Sequence, residues 1–247
     1  MAHRNSATPF FDFAVSTGSI SLPVVADDWI VVAAGWFTAD GFGATPISDG
    51  VNTYSLPNGA DWTNPRTVGS GRQACWVAKA TTTTTLTITV TLAAANTLCI
   101  VGSCFSGRDG TQAVEAAKSN YQVGVATSTD AITTATWTGT TGADIWGFAI
   151  DNNLAANINS GTGFTTRGGG TDHFEAESQD NVASGTRAAT FTSSGAGQDV
   201  GTFGVSFKVA AGGVAISVPV GILQFASIAL LGVAAMTNDA RIVFRKA

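Results

Sequence analysis

Charge is what this 247-residue sequence has least of: Lys, Arg, Asp and Glu together make up 12% of it, against about a quarter in an ordinary globular protein. The net charge of −5 is built from scattered residues, with Lys and Arg spread from Arg4 to Lys246 and no cationic run. Direct nucleic-acid binding is therefore not expected, because a phosphate backbone is held by clustered cations. Histidine is nearly missing, with only His3 and His173, and that leaves little from which to build a Ser-His-Asp or Cys-His centre. The three cysteines, Cys75, Cys99 and Cys104, are an odd number without zinc spacing and give no disulfide framework. They are expected to be buried free thiols, with Cys99 and Cys104 on opposite faces of one strand because they stand an odd number of residues apart. The opening MAHRNSATPFFDF lacks the apolar run of about 7–15 residues that a secretory signal carries. Assembly in a reducing cytoplasm is the expectation that agrees with these thiols.

Apolar residues in period-two order are what the sequence does have. In TTTTTLTITVTL, Leu86, Ile88, Val90 and Leu92 alternate with threonines, the pattern of a strand with one buried face. Comparable runs occur at Trp29 to Phe37, Gln73 to Lys79, Thr97 to Phe105, Ala131 to Trp137, Asp144 to Ile150, Arg187 to Thr192 and Gly201 to Lys208. Turn-forming clusters such as Ser48-Asp49-Gly50 and Pro57-Asn58-Gly59 separate them. DWIVVAAGWF and TLCIVGSCF are apolar on both faces and are expected at the centre of a covered sheet. Before Val209 only QAVEAAKSN, around Glu115, has any helical character, enough for one short helix. The fold expected is all-β: one antiparallel β-sandwich, jelly-roll-like, around one core.

Chemistry-bearing residues are sparse. In TDHFEAE a strand would place His173, Glu175 and Glu177 on one face. They would make a weak three-ligand set for a divalent metal, and the favoured reading is a solvated polar face. Asp27-Asp28 precedes an apolar strand, and adjacent carboxylates project apart, so the pair is read as a turn into the strand and not as a glycosidase pair. Trp29, Trp36, Trp76 and Trp146 lie within apolar strands and are expected in the core, which leaves Trp62 in NGADWTNPR and Trp137 as the glycan-contact candidates. GTGFTTRGGG lacks the lysine of a phosphate-binding loop and is read as a plain loop. No catalytic residue, cofactor or metal is expected, and the protein is read as a non-enzyme.

The order of these elements carries a resemblance. LPVVADDWIVVAA, SDGVNTYSLP, RQACWVAKATTTTTLTITVTL, TLCIVGSCFSG, ADIWGFAI and TRAATFTSSGAGQDVGTFGVSFK follow one another from about Ile20 to Lys208. The succession resembles a β-sandwich domain family found in structural proteins of tailed phages and in bacterial surface proteins. Its motifs are strand and turn signatures and carry over no catalytic residue. The resemblance implies a virion structural protein, a capsid decoration, head-fibre or tail-associated subunit, assembled in the host cytoplasm and bound to other virion proteins and to copies of itself.

Domain boundaries follow: an N-terminal arm over 1–19, the sandwich over 20–208, and an apolar C-terminal attachment or oligomerisation arm over 209–247. The last contains no charge from Val214 to Met236, long enough for a membrane span of about 20 residues. Pro219, Gly221, Ser217, Gln224 and Ser227 speak for an extended arm instead, with Ile222, Leu223, Phe225, Ile228, Leu230 and Leu231 as its partner contacts, an extra pair of core strands being the third reading. A carbohydrate-binding or adhesion module, meeting a host-surface glycan, is the alternative; a membrane-anchored surface protein comes third.

Overall fold

The computed structural model describes residues 3–37, 41–57, 62–63, 72–108, 114–125, 132–151, 156–169, 173–195 and 198–209, all in one compact unit, Met1–Ala211. Among these residues there is no helix and every strand pairing is antiparallel, as the period-two patterning requires. The described strands are β1 (His3–Ser6), β2 (Phe10–Val24), β3 (Trp29–Trp36), β4 (Phe42–Ser48), β5 (Trp62–Thr63), β6 (Arg72–Lys79), β7 (Thr84–Phe105), β8 (Val114–Val125), β9 (Ile132–Thr133), β10 (Trp137–Gly139), β11 (Ala143–Asp151), β12 (Ile158–Ser160), β13 (Thr165–Gly169), β14 (Phe174–Val182), β15 (Gly185–Arg187), β16 (Thr190–Ser193) and β17 (Gln198–Phe207).

The 22-residue strand β7 organises the first sheet. β2 pairs along both halves of it, β4 with its first half, and β1 and β3 with its second half, beyond which lie β6 and β5. Leu86, Ile88, Val90 and Leu92 from the first half share one apolar cluster with Leu98, Ile100 and Cys104 from the second. One strand can line a core from two sides only by bending round it. The small, exposed Ala93-Ala94-Ala95 stretch lies at that corner, and Asn96 closes it by accepting the Phe37 and Thr97 N–H groups. Ile20 from β2 reaches across the core to Gly102, where an added Cβ would lie 2.6 Å from its Cδ1.

β3 shows why both faces of DWIVVAAGWF are apolar. Ile30, Val32, Ala34 and Trp36 enter this first core, while Val31 and Ala33 enter a second. There they join Cys99, Val101 and Phe105 against Trp146, Phe148 and Ile150 of β11 and Phe203, Val205 and Phe207 of β17. These last belong to a five-stranded sheet ordered β13-β14-β11-β17-β8. β11 is buried along its whole length because its other face packs into a third core, where Ile145 and Ala149 meet Ile158 and Phe191 of a small β12-β16-β9 sheet and Ala189 just before β16. Gly147 permits that approach, since a Cβ there would fall 2.7 Å from the Ala189 methyl.

The all-β expectation is met, but one sandwich with one core becomes successive β layers around three cores. Three local expectations are corrected. VEAAKSNYQV is the edge strand β8, not a short helix, because laddering to β17 overrides the helical preference of its Ala, Glu and Lys residues. The loop expected at GTGFTTRGGG contains strand β13. Most of residues 3–19 is not a separate arm: β1 and the first part of β2 pair with β7, Ala7 is buried, and Pro9 lies over Gly168. The segment after Val209, with its six proposed partner contacts, lies outside the described residues.

Two turns expected from sequence are built by side chains. Asp49 receives the N–H groups of Val51 and Asn52, the Asn52 amide and the Tyr54 hydroxyl, all at 2.7–2.9 Å. Burial alone would raise its pKa, yet these donors hold it below the usual carboxylate value. Asp28, at the turn into β3, accepts the Val25 N–H and pairs with Arg4 at 2.7 Å.

Candidate functional site

The two glycan-contact candidates part company. Trp137 is only 6% exposed and lies in the third core, over Gly204, whose missing side chain leaves room for the indole. A ring buried there cannot stack on a sugar, so that assignment is corrected. Trp62 occupies β5 and pairs with Gln73, and its side chain is outside what the structure describes. Trp36, Trp76 and Trp146 are core residues and Trp29 packs against the second core, as their strand positions require.

The carboxyl face of β14 is also corrected. Glu175 and Glu177 are fully buried, not solvated, because β12 and β16 cover the face they share. Glu175 Oε1 accepts the Ser160 hydroxyl at 2.5 Å. Glu177 accepts the Gly161 N–H at 2.9 Å and the Thr190 N–H at 3.1 Å. Burial pushes Glu175 up to about 7 against the pull of the Ser160 and Thr166 hydroxyls. Burial likewise pushes Glu177 up to about 8, despite two backbone donors, with the charge of Glu175 adding to the rise. His173 sits at the head of this row with Nδ1 3.1 Å from the Ala156 carbonyl. Among the described residues no three His, Cys, Asp or Glu side chains converge as a metal site.

Three further arrangements escaped sequence reasoning. His3 Nε2 lies 2.8 Å from Ser6 Oγ, which shares a hydrogen bond with Ser103 Oγ at 3.0 Å, and Trp146 Nε1 donates to that second hydroxyl at 3.2 Å. A base beside a hydroxyl is the first requirement of a nucleophile. Here the hydroxyl also shares a hydrogen bond with Ser103, and burial, with Arg167 nearby, holds His3 down to about 4, so the line acts as a polar bolt between β1, β7 and β11. The second is the buried Arg108–Asp144 pair, 3.1 Å apart. The third is an open cleft of about 630 Å³ beside the β14–β15 turn, lined by Gln179, Asp180, Asn181, Ser184, Thr186 and Arg187 among others. Its wall includes Asn181 in the left-handed region (φ 53°), whose N–H is held by Asp144 Oδ1 at 2.9 Å. Sequence spacing announces neither the Ser103 and Trp146 ends of the first line nor the Arg108–Asp144 pair, which strand pairing brings together, and the cleft, though lined mostly by neighbours from Gln179 to Ala188, carries no motif.

Cys75, Cys99 and Cys104 are buried and unbridged, Cys99 facing the second core and Cys104 the first. Burial raises Cys75 well above the usual thiol value and, with Asp28 adding, pushes Cys104 up to about 12. A thiol reagent at pH 8 is therefore expected to leave all three unreacted in the native protein and to label all three in denaturant. Rapid labelling of the native chain would contradict this placement.

Comparison with family models, with curated proteins and with solved structures finds no match to this chain. The functional reading accordingly rests on its own residues.

Proposed function

We propose that this protein is a non-enzymatic structural subunit of a tailed-phage particle, a β-layered body that binds other virion proteins and copies of itself, with residues 209–247 as its attachment arm. The observation that carries the reading is the contrast between the two parts. The cores of the described residues extend as far as Phe207, whereas the sequence beyond continues with an uncharged apolar run from Val214 to Met236. Such a run needs a covering partner, because a contiguous apolar patch left in water is an aggregation liability. Support also comes from where the body places its carboxylates: Asp28 and Asp144 are buried in bonds that join separate elements. The resemblance of the strand and turn motifs supplies the particle itself. In a lysate of the producing host, the chain is expected to co-sediment with assembled particles and to stay with them through a density gradient. Recovery only in the membrane fraction or the free pool would refute the proposal.

A second reading, recognition of a host-surface glycan, is favoured by one observation. The cleft beside the β14–β15 turn gathers the amides of Gln179 and Asn181 with Asp180 and Arg187, the groups that bond sugar hydroxyls. Binding on a glycan array that Asp180→Ala abolishes would select it.

A further inference from the structure

We propose that Glu175 and Glu177 form a proton-operated latch that holds the β12-β16-β9 layer against the five-stranded sheet, tight while both carboxyls carry protons and loosened once they ionise. Among the described residues the layer has no main-chain ladder to β14: β12 pairs with β16, and β16 with β9. It is attached by its share of the third core and by side-chain bonds, among which the Ser160, Gly161 and Thr190 contacts to the two glutamates tie both β12 and the start of β16 to one face of β14.

Two residues apart on a strand, these side chains point the same way about 7 Å apart. Among the described residues the groups around them supply no countercharge. From β11 the opposed residues are Gly147 and Ala149, with Asp151 beyond, whose carboxylate receives the Ala156 N–H. From β13 comes Thr166, while Arg167 turns to Ser178 and Asp180. From β12 and the start of β16 come the Ser160 hydroxyl and the Gly161 and Thr190 N–H groups. His173, on the same element, bonds to Ala156. Glu175 Oε2 meets no donor.

Both groups ionise less readily in the closed layer than in water, so the closed form holds its protons over a pH range in which the open form has lost them. Closure is most stable below the ordinary glutamate value of 4.5 and weakens as pH rises through about 7 and 8. The sign is thus opposite to that of an exposed ion pair that fails in acid.

Native-state hydrogen exchange of the full chain from pH 5 to pH 8.5, corrected for intrinsic rates, tests the latch. Amides of β12 and β16 are expected to lose at least about tenfold in protection, with Val31–Ala34 and Cys75–Val77 changing much less. Glu175→Gln keeps an acceptor for Ser160 and removes one charge, so it should shrink the loss to half or less on a logarithmic scale. Adding Glu177→Gln should abolish it. If the double variant does not fold, Glu175→Gln alone decides the matter. An unchanged pH dependence in Glu175→Gln, no loss in the wild type, or an equal loss in β3 and β6 would each overturn the proposal.

Discussion

Replacing Asp144 with alanine is expected to destabilise the body by about 3–5 kcal/mol, the cost of leaving the opposite charge buried and uncompensated. Arg108 and Asp144 have side chains 1% and 0% exposed. Arg108 also donates to the Ser106 and Gly142 carbonyls, and Asp144 accepts the Asn181 N–H. The aspartate thus joins three elements: the turn after β7, the start of β11 and the strained end of β14. Taking two charges out of water costs about as much as their attraction returns, so a buried pair adds little net stability. Burial pushes the Asp144 pKa up to about 6, and the Asn181 N–H and Arg108 recover only part of that rise. Consequently the single variant should fail badly, whereas Arg108→Met combined with Asp144→Leu should recover most of the loss. Asp144→Asn, which keeps an acceptor for Asn181, should fall between. Urea titration at pH 7 reads all three variants. An Asp144→Ala loss under about 1 kcal/mol would show that Arg108 finds water or another partner.

What could be read from sequence followed the number of faces each strand buries. Leu86, Ile88, Val90 and Leu92 alternate with exposed or half-buried threonines, so one strand with one core face was legible. DWIVVAAGWF and TLCIVGSCF are apolar on both faces, and both lie inside the first sheet. The glutamates of β14 misled because the same alternation, Phe174 and Ala176 on one side and Glu175 and Glu177 on the other, ordinarily means core against water. Nothing local announces that β12 and β16 will cover the second side. The N-terminal residues were likewise misread: His3 meets Ser6 locally, but Ser103, which completes their line, is 97 residues further along the chain. β8 shows the limit of propensity, since its alanines and lysine favour a helix until an edge of β17 is offered to them. Trp137 looked exposable only because the glycine beneath it, Gly204, belongs to a strand more than sixty residues away.

Stopping the chain after Ala210 is expected to leave a soluble body that unfolds cooperatively and has lost its association with partners. The body part of this expectation comes from strand β17. Its inward residues Phe203, Val205 and Phe207 fill the second core, Phe207 stacks on Phe105 at 5.0 Å, and the strand is laddered on both sides by β8 and β11. Gln73 reaches over from the first sheet to donate to the Thr202 carbonyl. Truncation at 210 removes none of these contacts, so the unfolding midpoint should move by no more than a few degrees. The association part comes from the sequence beyond. Ile222, Leu223, Phe225, Ile228, Leu230 and Leu231 would each contribute about 1.5–3 kcal/mol on full burial, enough in sum to hold a subunit in place after the cost of ordering is subtracted. Sedimentation velocity and particle binding, measured beside thermal unfolding, separate the two parts. A truncated chain that is unfolded would make residues 211–247 part of the core. One that folds and still binds particles with unchanged affinity would move the attachment surface onto the body, where Phe13, Val25, Val51, Leu56 and Val209 are the large apolar side chains exposed among the described residues.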